Sequence, residues 1–169
     1  MNKAIIIGHN SDAKGAYSHY LEKSEWSFYK SFEGKLNEVG DVFLHNPDID
    51  SYTERCKDIS ERIGTSYDVV FALHFNKFNG ETGGCEVWHW HKNKEGEALA
   101  ENICDKVERE MSIENRGPKK IRYRKQRGGG EVFYPKTTSL LLEPFFGDFK
   151  EDCNNFDIDK FVKILKEIK

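Results

Sequence analysis

Three short apolar runs in the chain each end on a residue able to bind a metal or move a proton: Ala4-Ile5-Ile6-Ile7-Gly8-His9, Val69-Val70-Phe71-Ala72-Leu73-His74 and Leu140-Leu141-Leu142-Glu143. Apolar runs of this length without alternation read as strands buried on both faces, the pattern of a parallel sheet covered by helices on either side. The carboxyl ends of such strands are where open α/β sheets gather their ligands. Two imidazoles and a carboxylate are therefore expected along one edge. The 169 residues suffice for one domain with a sizeable core, and no Pro/Gly/Ser-rich linker or internal repeat divides them, so a single domain is expected over 1–169.

Helical patterns fill the stretches between the strands. Ser24 is a suitable N-cap for a helix through about Val39, with Phe28, Phe32 and Leu36 four apart on one face and Gly40 as the stop. Asp41 to Leu44 reads as a second short strand. Ser51 and Glu54 form a capping box ahead of Cys56, Ile59 and Ile63, and Gly64 ends that helix. After the strand that closes on His74, Gly83-Gly84 opens an alternating strand from Cys85 to His91, the one singled out as antiparallel. Glu95 to Met111 is helical through Leu99, Ile103 and Val107. The basic, glycine-rich stretch Glu114 to Lys136 predicts a short strand around Ile121 to Tyr123 and a long loop, and Phe161 to Ile168 an amphipathic C-terminal helix. Strands alternating with helices imply an α/β fold: a single-domain, three-layer αβα architecture with a mostly parallel sheet of about six strands.

Charge and cysteine usage narrow the classes further. With 26 basic against 29 acidic residues the net charge is -3, which gives the whole molecule no electrostatic reason to seek nucleic acid or an anionic membrane. Cys56, Cys85, Cys104 and Cys153 are widely spaced and form no CxxC pair, as expected of reduced thiols rather than a disulfide framework. Met1-Asn2-Lys3-Ala4 passes straight into a strand, and no stretch is apolar for long enough to act as a signal peptide or span a bilayer. The expected location is the cytoplasm of the producing cell, without membrane insertion.

A fourth residue joins the three strand ends. Glu25 lies three positions before Phe28 and seven before Phe32, on the stripe that should pack against the sheet. A metal between Glu25, His9 and His74 would remove the cost of burying an unpaired charge. Each residue also has an ordinary explanation. Glu25 suits a first helical turn, where the dipole favours negative charge, and Glu22 one turn earlier is the second choice for a ligand. A lone His at a strand end is more often a hydrogen-bonded structural residue, and a Glu after an apolar strand is often its first solvated position. Together the four point to a site. A catalytic zinc takes three N or O ligands and keeps one position open, which His9, Glu25 and His74 satisfy, with Glu143 left as the base. His89 and His91 share a strand face and form a competing pair, weighed lower because they lie within a strand between Trp88 and Trp90.

These residues resemble a family. Ile6-Ile7-Gly8-His9, the early-helix Glu25, Ala72-Leu73-His74-Phe75-Asn76, Gly83-Gly84-Cys85-Glu86-Val87 and Leu141-Leu142-Glu143-Pro144-Phe145-Phe146 together are similar to the zinc-dependent N-acetylmuramoyl-L-alanine amidases of type 3, phage endolysin catalytic domains included. No single piece is specific, but the ordered combination covers nearly the whole chain. Pro144 and Asp148 resemble the clostridial phage branch. The resemblance implies one zinc per chain on His9, Glu25 and His74, Glu143 as catalytic carboxylate, and peptidoglycan as substrate, cut between the lactyl group of N-acetylmuramic acid and L-alanine. It further implies a phage or prophage endolysin released through a holin pore. Asn76 is a candidate for orienting a ligand or the substrate, a turn-forming role being the equal alternative. Arg122, Arg124 and Arg127, in a basic stretch with Lys119, Lys120 and Lys125, are candidates for meeting stem-peptide carboxylates, a solvated loop being the equal alternative. No separate cell-wall-binding domain is expected within 1–169, and the chain is expected to act as a monomer. Two other readings stay open: a non-catalytic peptidoglycan-binding module of the same fold, and another zinc-dependent peptidase or amidohydrolase, for which HExxH is absent. No GxGxxG or P-loop lysine pattern supports nucleotide binding.

Overall fold

Strands that are apolar at consecutive positions are stable only where helices cover both faces of the sheet, and every residue of Lys3–Ile7, Val69–Leu73 and Thr138–Glu143 is buried. The computed structural model describes residues 1–169. In chain order the elements are β1 (Lys3–Ile7), β2 (Tyr17–Ser18), β3 (Lys23–Ser24), α1 (Glu25–Lys30), α2 (Glu33–Leu36), β4 (Asp41–Leu44), α3 (Tyr52–Ile63), β5 (Val69–Leu73), β6 (Cys85–Trp90), α4 (Lys94–Met111), β7 (Asn115–Ile121), α5 (Gly129–Phe133), β8 (Thr138–Glu143), α6 (Lys150–Asn155) and α7 (Ile158–Glu167). The main sheet has six strands in the order β4-β1-β5-β8-β6-β7, and β2 with β3 forms a small antiparallel hairpin apart from it. Four of the five neighbouring pairs are parallel; β6 against β8 is the antiparallel one, as expected for the Cys85 strand.

The period of two along each strand sorts its side chains between two cores. Ile5, Ile7, Phe71, Leu73, Leu140 and Leu142 join a cluster of 25 buried residues that includes Phe28 and Tyr29 of α1, Ile103 and Val107 of α4, and Phe161 and Leu165 of α7. Ala4, Ile6, Val70, Ala72 and Leu141 face the other way, into a cluster of nine with Ile59 and Ile63 of α3 and Val132 of α5. Each fully buried large aliphatic or aromatic side chain contributes about 1.5 to 3 kcal/mol, so most of the stability resides on the α1/α4/α7 side. The thinner α3/α5 layer leaves room for a cavity. Gly8, His74 and Glu143 each lie two positions beyond Ile6, Ala72 and Leu141, so they fall on that same face.

Several elements differ from the sequence expectation. The helix foreseen from Ser24 to Val39 divides after Lys30, because the Ser31 hydroxyl donates to the Phe28 carbonyl at 2.7 Å and the Phe32 amide bonds only three residues back, to Tyr29. The strand expected at Ile121 to Tyr123 instead ends at Ile121 and begins at Asn115; it contains Gly117 and Pro118, which an edge strand tolerates. The hairpin β2/β3 and the short helices α5 and α6 were not expected. The four cysteines are free thiols, and Cys85 and Cys104 lie 3.7 Å apart, sulfur to sulfur, too far for a bond. No helix is long and apolar enough to cross a membrane.

Candidate metal centre

His9 and His74 meet because β1 and β5 are adjacent and in register, with Ile7 opposite Leu73. The ladder runs one step further, the Gly8 amide donating to the Leu73 carbonyl at 3.0 Å, and His9 then leaves the sheet with φ 66°. The His74 amide donates to Leu142 of β8, and its carbonyl accepts from the Tyr29 hydroxyl at 2.8 Å. Its ring lies close against Gly8: a Cβ at that position would stand 2.3 Å from His74 Cε1. Gly8→Ala must therefore displace the ring or the strand end. Because a misplacement near 1 Å lowers turnover about 10²-fold, we expect that variant to fold but lose most of its metal affinity and activity, as isothermal titration and wall lysis would read; wild-type values in both would contradict this geometry.

Glu25 is the first residue of α1, behind the Ser24 cap whose hydroxyl accepts from the Ser27 amide. Its Oε1 accepts from the Ala16 amide at 2.8 Å. Its Oε2 faces both imidazoles, 3.2 Å from His9 Nε2 and 3.0 Å from His74 Nδ1. Burial pushes this carboxyl up, but hydrogen bonds from His74 and His9 outweigh it and hold it down at about 2. Glu22, the second choice, is exposed on the hairpin at φ 52° and takes no part. One ligand atom from each of His9, Glu25 and His74 lies within 4.8 Å of the other two. Two nitrogens and an oxygen converging on one point suit a borderline cation such as zinc, and three donors leave a side open.

The open side faces a cavity of about 400 Å³ lined by His9, Tyr52, His74, Asn76, Trp88, Gln126, Arg127, Gly128, Glu131, Leu141 and Glu143. Glu143 ends β8. Its Oε2 accepts from Trp88 Nε1 at 2.9 Å. Burial raises the Glu143 carboxyl above the usual range, against the opposing pull of the Trp88 hydrogen bond and the His74 and Arg127 charges. Such a group takes up a proton more readily than a solvated glutamate.

The other sequence candidates separate. Asn76 lines the cavity, but its side chain donates to Glu86 at 3.4 Å and accepts from the Lys77 amide, the role of an anchored turn residue. Arg127 reaches the cavity wall; Arg122 and Arg124 are exposed and do not line it. His89 is fully buried, with Nδ1 3.0 Å from the Trp90 carbonyl, and His91 is half-buried beside the Trp90 ring, so this pair does not join the cluster. Two residues, Glu131 and His45, were missed altogether. Glu131 of α5 lies 2.9 Å from His74 Nε2 and 2.8 Å from His45 Nε2, all three buried. Burial would raise its carboxyl, but the His74 charge and the hydrogen bond from His45 more than offset that, and it is held well below the usual range. His74 is in turn held well above the ordinary imidazole value: burial lowers it, and the Glu131 and Glu25 carboxylates dominate. Two buried carboxylates thus make this a place that favours positive charge.

An αβα domain that gathers two imidazoles and a carboxylate at the carboxyl edge of its sheet, with a proton-holding carboxylate across a cavity, has the layout of a metallohydrolase. Residues 4–168 match the Amidase_3 family model, N-acetylmuramoyl-L-alanine amidase, and the chain belongs to that family. It is accordingly an N-acetylmuramoyl-L-alanine amidase acting on peptidoglycan. No curated protein matches it in sequence. Among solved structures it is similar to the catalytic domain of the CD27L endolysin targeting Clostridia difficile (TM-score 0.78, 24% identity, 99% of this chain and 95% of that one). It is also similar to the CwlD amidase from Clostridioides difficile, solved in complex with the GerS lipoprotein (0.73, 18%, 97% and 92%), and to the amidase AmiC2 of Nostoc punctiforme (0.67, 21%, 99% and 92%). These likenesses bear out the three-layer fold.

Proposed function

We propose that this amidase works with one zinc ion held by His9, Glu25 and His74, and that Glu143 carries the proton through the reaction. The observation that supports the reading most is the convergence of both imidazoles on a single oxygen of Glu25 beside the cavity that Glu143 lines. Zinc bound there supplies Lewis acidity toward the lactyl carbonyl and lowers the pKa of water from near 16 toward roughly 7. Glu143 takes the proton of the attacking water and delivers it to the departing L-alanine nitrogen, a transfer worth about 10² to 10⁴ in rate. Trp88 holds the carboxylate in place by its indole N–H, and Arg127 supplies a cation at the cavity wall for the negatively charged stem peptide.

Incubation with purified walls, followed by mass spectrometry of the new ends, tests the reading. Free N-terminal L-alanine should appear, at a rate proportional to enzyme concentration, since the site is complete within one chain and the active unit in this proposal is the monomer. Removing metal with a chelator should stop release, and zinc at one equivalent should restore it. Undiminished release from metal-free protein would overturn the zinc assignment.

The biological role we infer is that of a phage or prophage endolysin, supported by the likeness to an endolysin catalytic domain. It collects in the cytoplasm of the producing cell and reaches the wall through a holin-type pore. Cytoplasmic expression should therefore leave the host intact until a permeabilising agent is added. Lysis on expression alone would end this proposal.

A further inference from the structure

We infer that Glu131, braced by His45, is a positioning residue that sets the tautomer and ring orientation of His74 so that Nδ1 is the atom offered to the metal. The inference rests on the zinc reading above and adds a group that the reading does not use. His74 has two ring nitrogens, and the structure assigns them different neighbours. Nδ1 lies 3.0 Å from the Glu25 oxygen shared with His9, inside the donor cluster. Nε2, on the opposite side of the ring, lies 2.9 Å from Glu131 Oε2. A carboxylate only accepts, so with Glu25 and Glu131 on its two sides each nitrogen carries a hydrogen before metal is bound; a cation held by Glu25 and His9 would displace the hydrogen at Nδ1, while Glu131, outside the donor cluster, keeps the one at Nε2.

The same logic extends to His45. Glu131 Oε1 is 2.8 Å from His45 Nε2, so that nitrogen also donates, while His45 Nδ1 is buried with no partner. An Nε2–H imidazole leaves only a lone pair unmet at Nδ1, and an unmet buried acceptor is tolerated better than an unmet donor. Both oxygens of Glu131 are thereby used, one by each histidine. Its side chain is only 1% exposed, and a carboxylate that deep needs such partners.

The backbone explains how it gets there. The short helix α5 presses close to α3: a Cβ on Gly130 would stand 2.7 Å from Cys56 Sγ, and Gly128 caps α5 at φ 72°. The Ser139 hydroxyl donates to the Glu131 carbonyl at 2.8 Å, tying the helix to β8. The glycines that made this stretch read as a loop are thus what lets Glu131 reach His74. Carboxylates in this relation to a metal-bound imidazole typically account for 10- to 100-fold in metal affinity.

Two measurements on the zinc-loaded protein test this. Long-range nitrogen–proton NMR of the imidazoles should show His74 protonated at Nε2; a proton at Nδ1 would overturn the inference and needs no variant. Chelator competition should show Glu131→Gln weakening zinc binding by about 10- to 100-fold, because an amide cannot accept from both histidines. Glu131→Asp should recover part of that loss, and His45→Gln should give a smaller one. Wild-type zinc affinity in a folded Glu131→Gln protein overturns the inference, as does loss of zinc as complete as in His74→Ala, which would make Glu131 a ligand. If Glu131→Gln does not fold, Glu131→Asp and the NMR tautomer decide in its place. Zinc bound by the wild type with no dependence on Glu131 removes this inference alone, whereas a wild type that binds no zinc removes the reading beneath it as well.

Discussion

His74→Ala is expected to abolish zinc binding and amidase activity together and also to lower the melting temperature, whereas His9→Ala should lose the zinc and the activity with little change in stability. The difference follows from burial. His9 is 31% exposed at its side chain, pairs with Glu25 and packs edge-on against the His74 ring, so its loss leaves Glu25 still paired with His74. His74 stands between two buried carboxylates, Glu25 and Glu131, and packs on Gly8. Its removal leaves Glu25 with His9 as its one cationic partner and Glu131 with only His45. Breaking a buried charge pair by removing one partner typically costs about 3 to 5 kcal/mol. For a domain of this size that is a fall in melting temperature on the order of 10 °C. Metal content by elemental analysis and thermal unfolding by circular dichroism read the two effects separately. One zinc per chain retained in either variant would remove that histidine from the ligand set, and an unchanged melting temperature in metal-free His74→Ala would contradict the burial argument.

The parts of this site that were legible in the sequence are those that sit where regular structure stops. His9, His74 and Glu143 each follow an apolar run, and uniform burial makes such runs hard to mistake. Glu25 was legible through the helical stripe of Phe28, although Phe32, which completed that stripe, lies beyond the break at Ser31. The segment from Glu114 onward was not legible. Strand β7 carries a glycine and a proline, and its place at the sheet edge comes from pairing with β6 rather than from local preference. Glycine disfavours helix, so Gly128-Gly129-Gly130 read as a loop; α5 forms because it packs against α3 and β8, which no local pattern reports. Glu131 and His45 were therefore invisible, being far apart in sequence and brought together only by that packing. Among the three arginines, Arg127 reaches the cavity and Arg122 and Arg124 do not, a distinction set by the turn leading into α5.

Glu143→Gln separates binding from chemistry most cleanly. The carboxylate lines the cavity, accepts from Trp88 and lies outside the group formed by His9, Glu25 and His74. An amide of the same shape keeps an oxygen for the Trp88 N–H, so the fold, the zinc content and the binding of wall fragments should all be retained. What it cannot do is take a proton. Turnover should then fall by at least about 10²-fold, with kcat and kcat/KM falling equally, because the lost interaction is made only as the proton moves. Trp88→Phe should act on the same group more mildly: without the indole hydrogen bond, Glu143 is raised further, so a higher pH is needed to ionise it. The acidic limb of its pH–rate profile should move to higher pH. Loss of zinc in Glu143→Gln would make Glu143 a ligand and return the role of base to another carboxylate. Full activity in that variant would show that no proton passes through Glu143, and the mechanism proposed for this amidase would have to be rebuilt around a different acceptor.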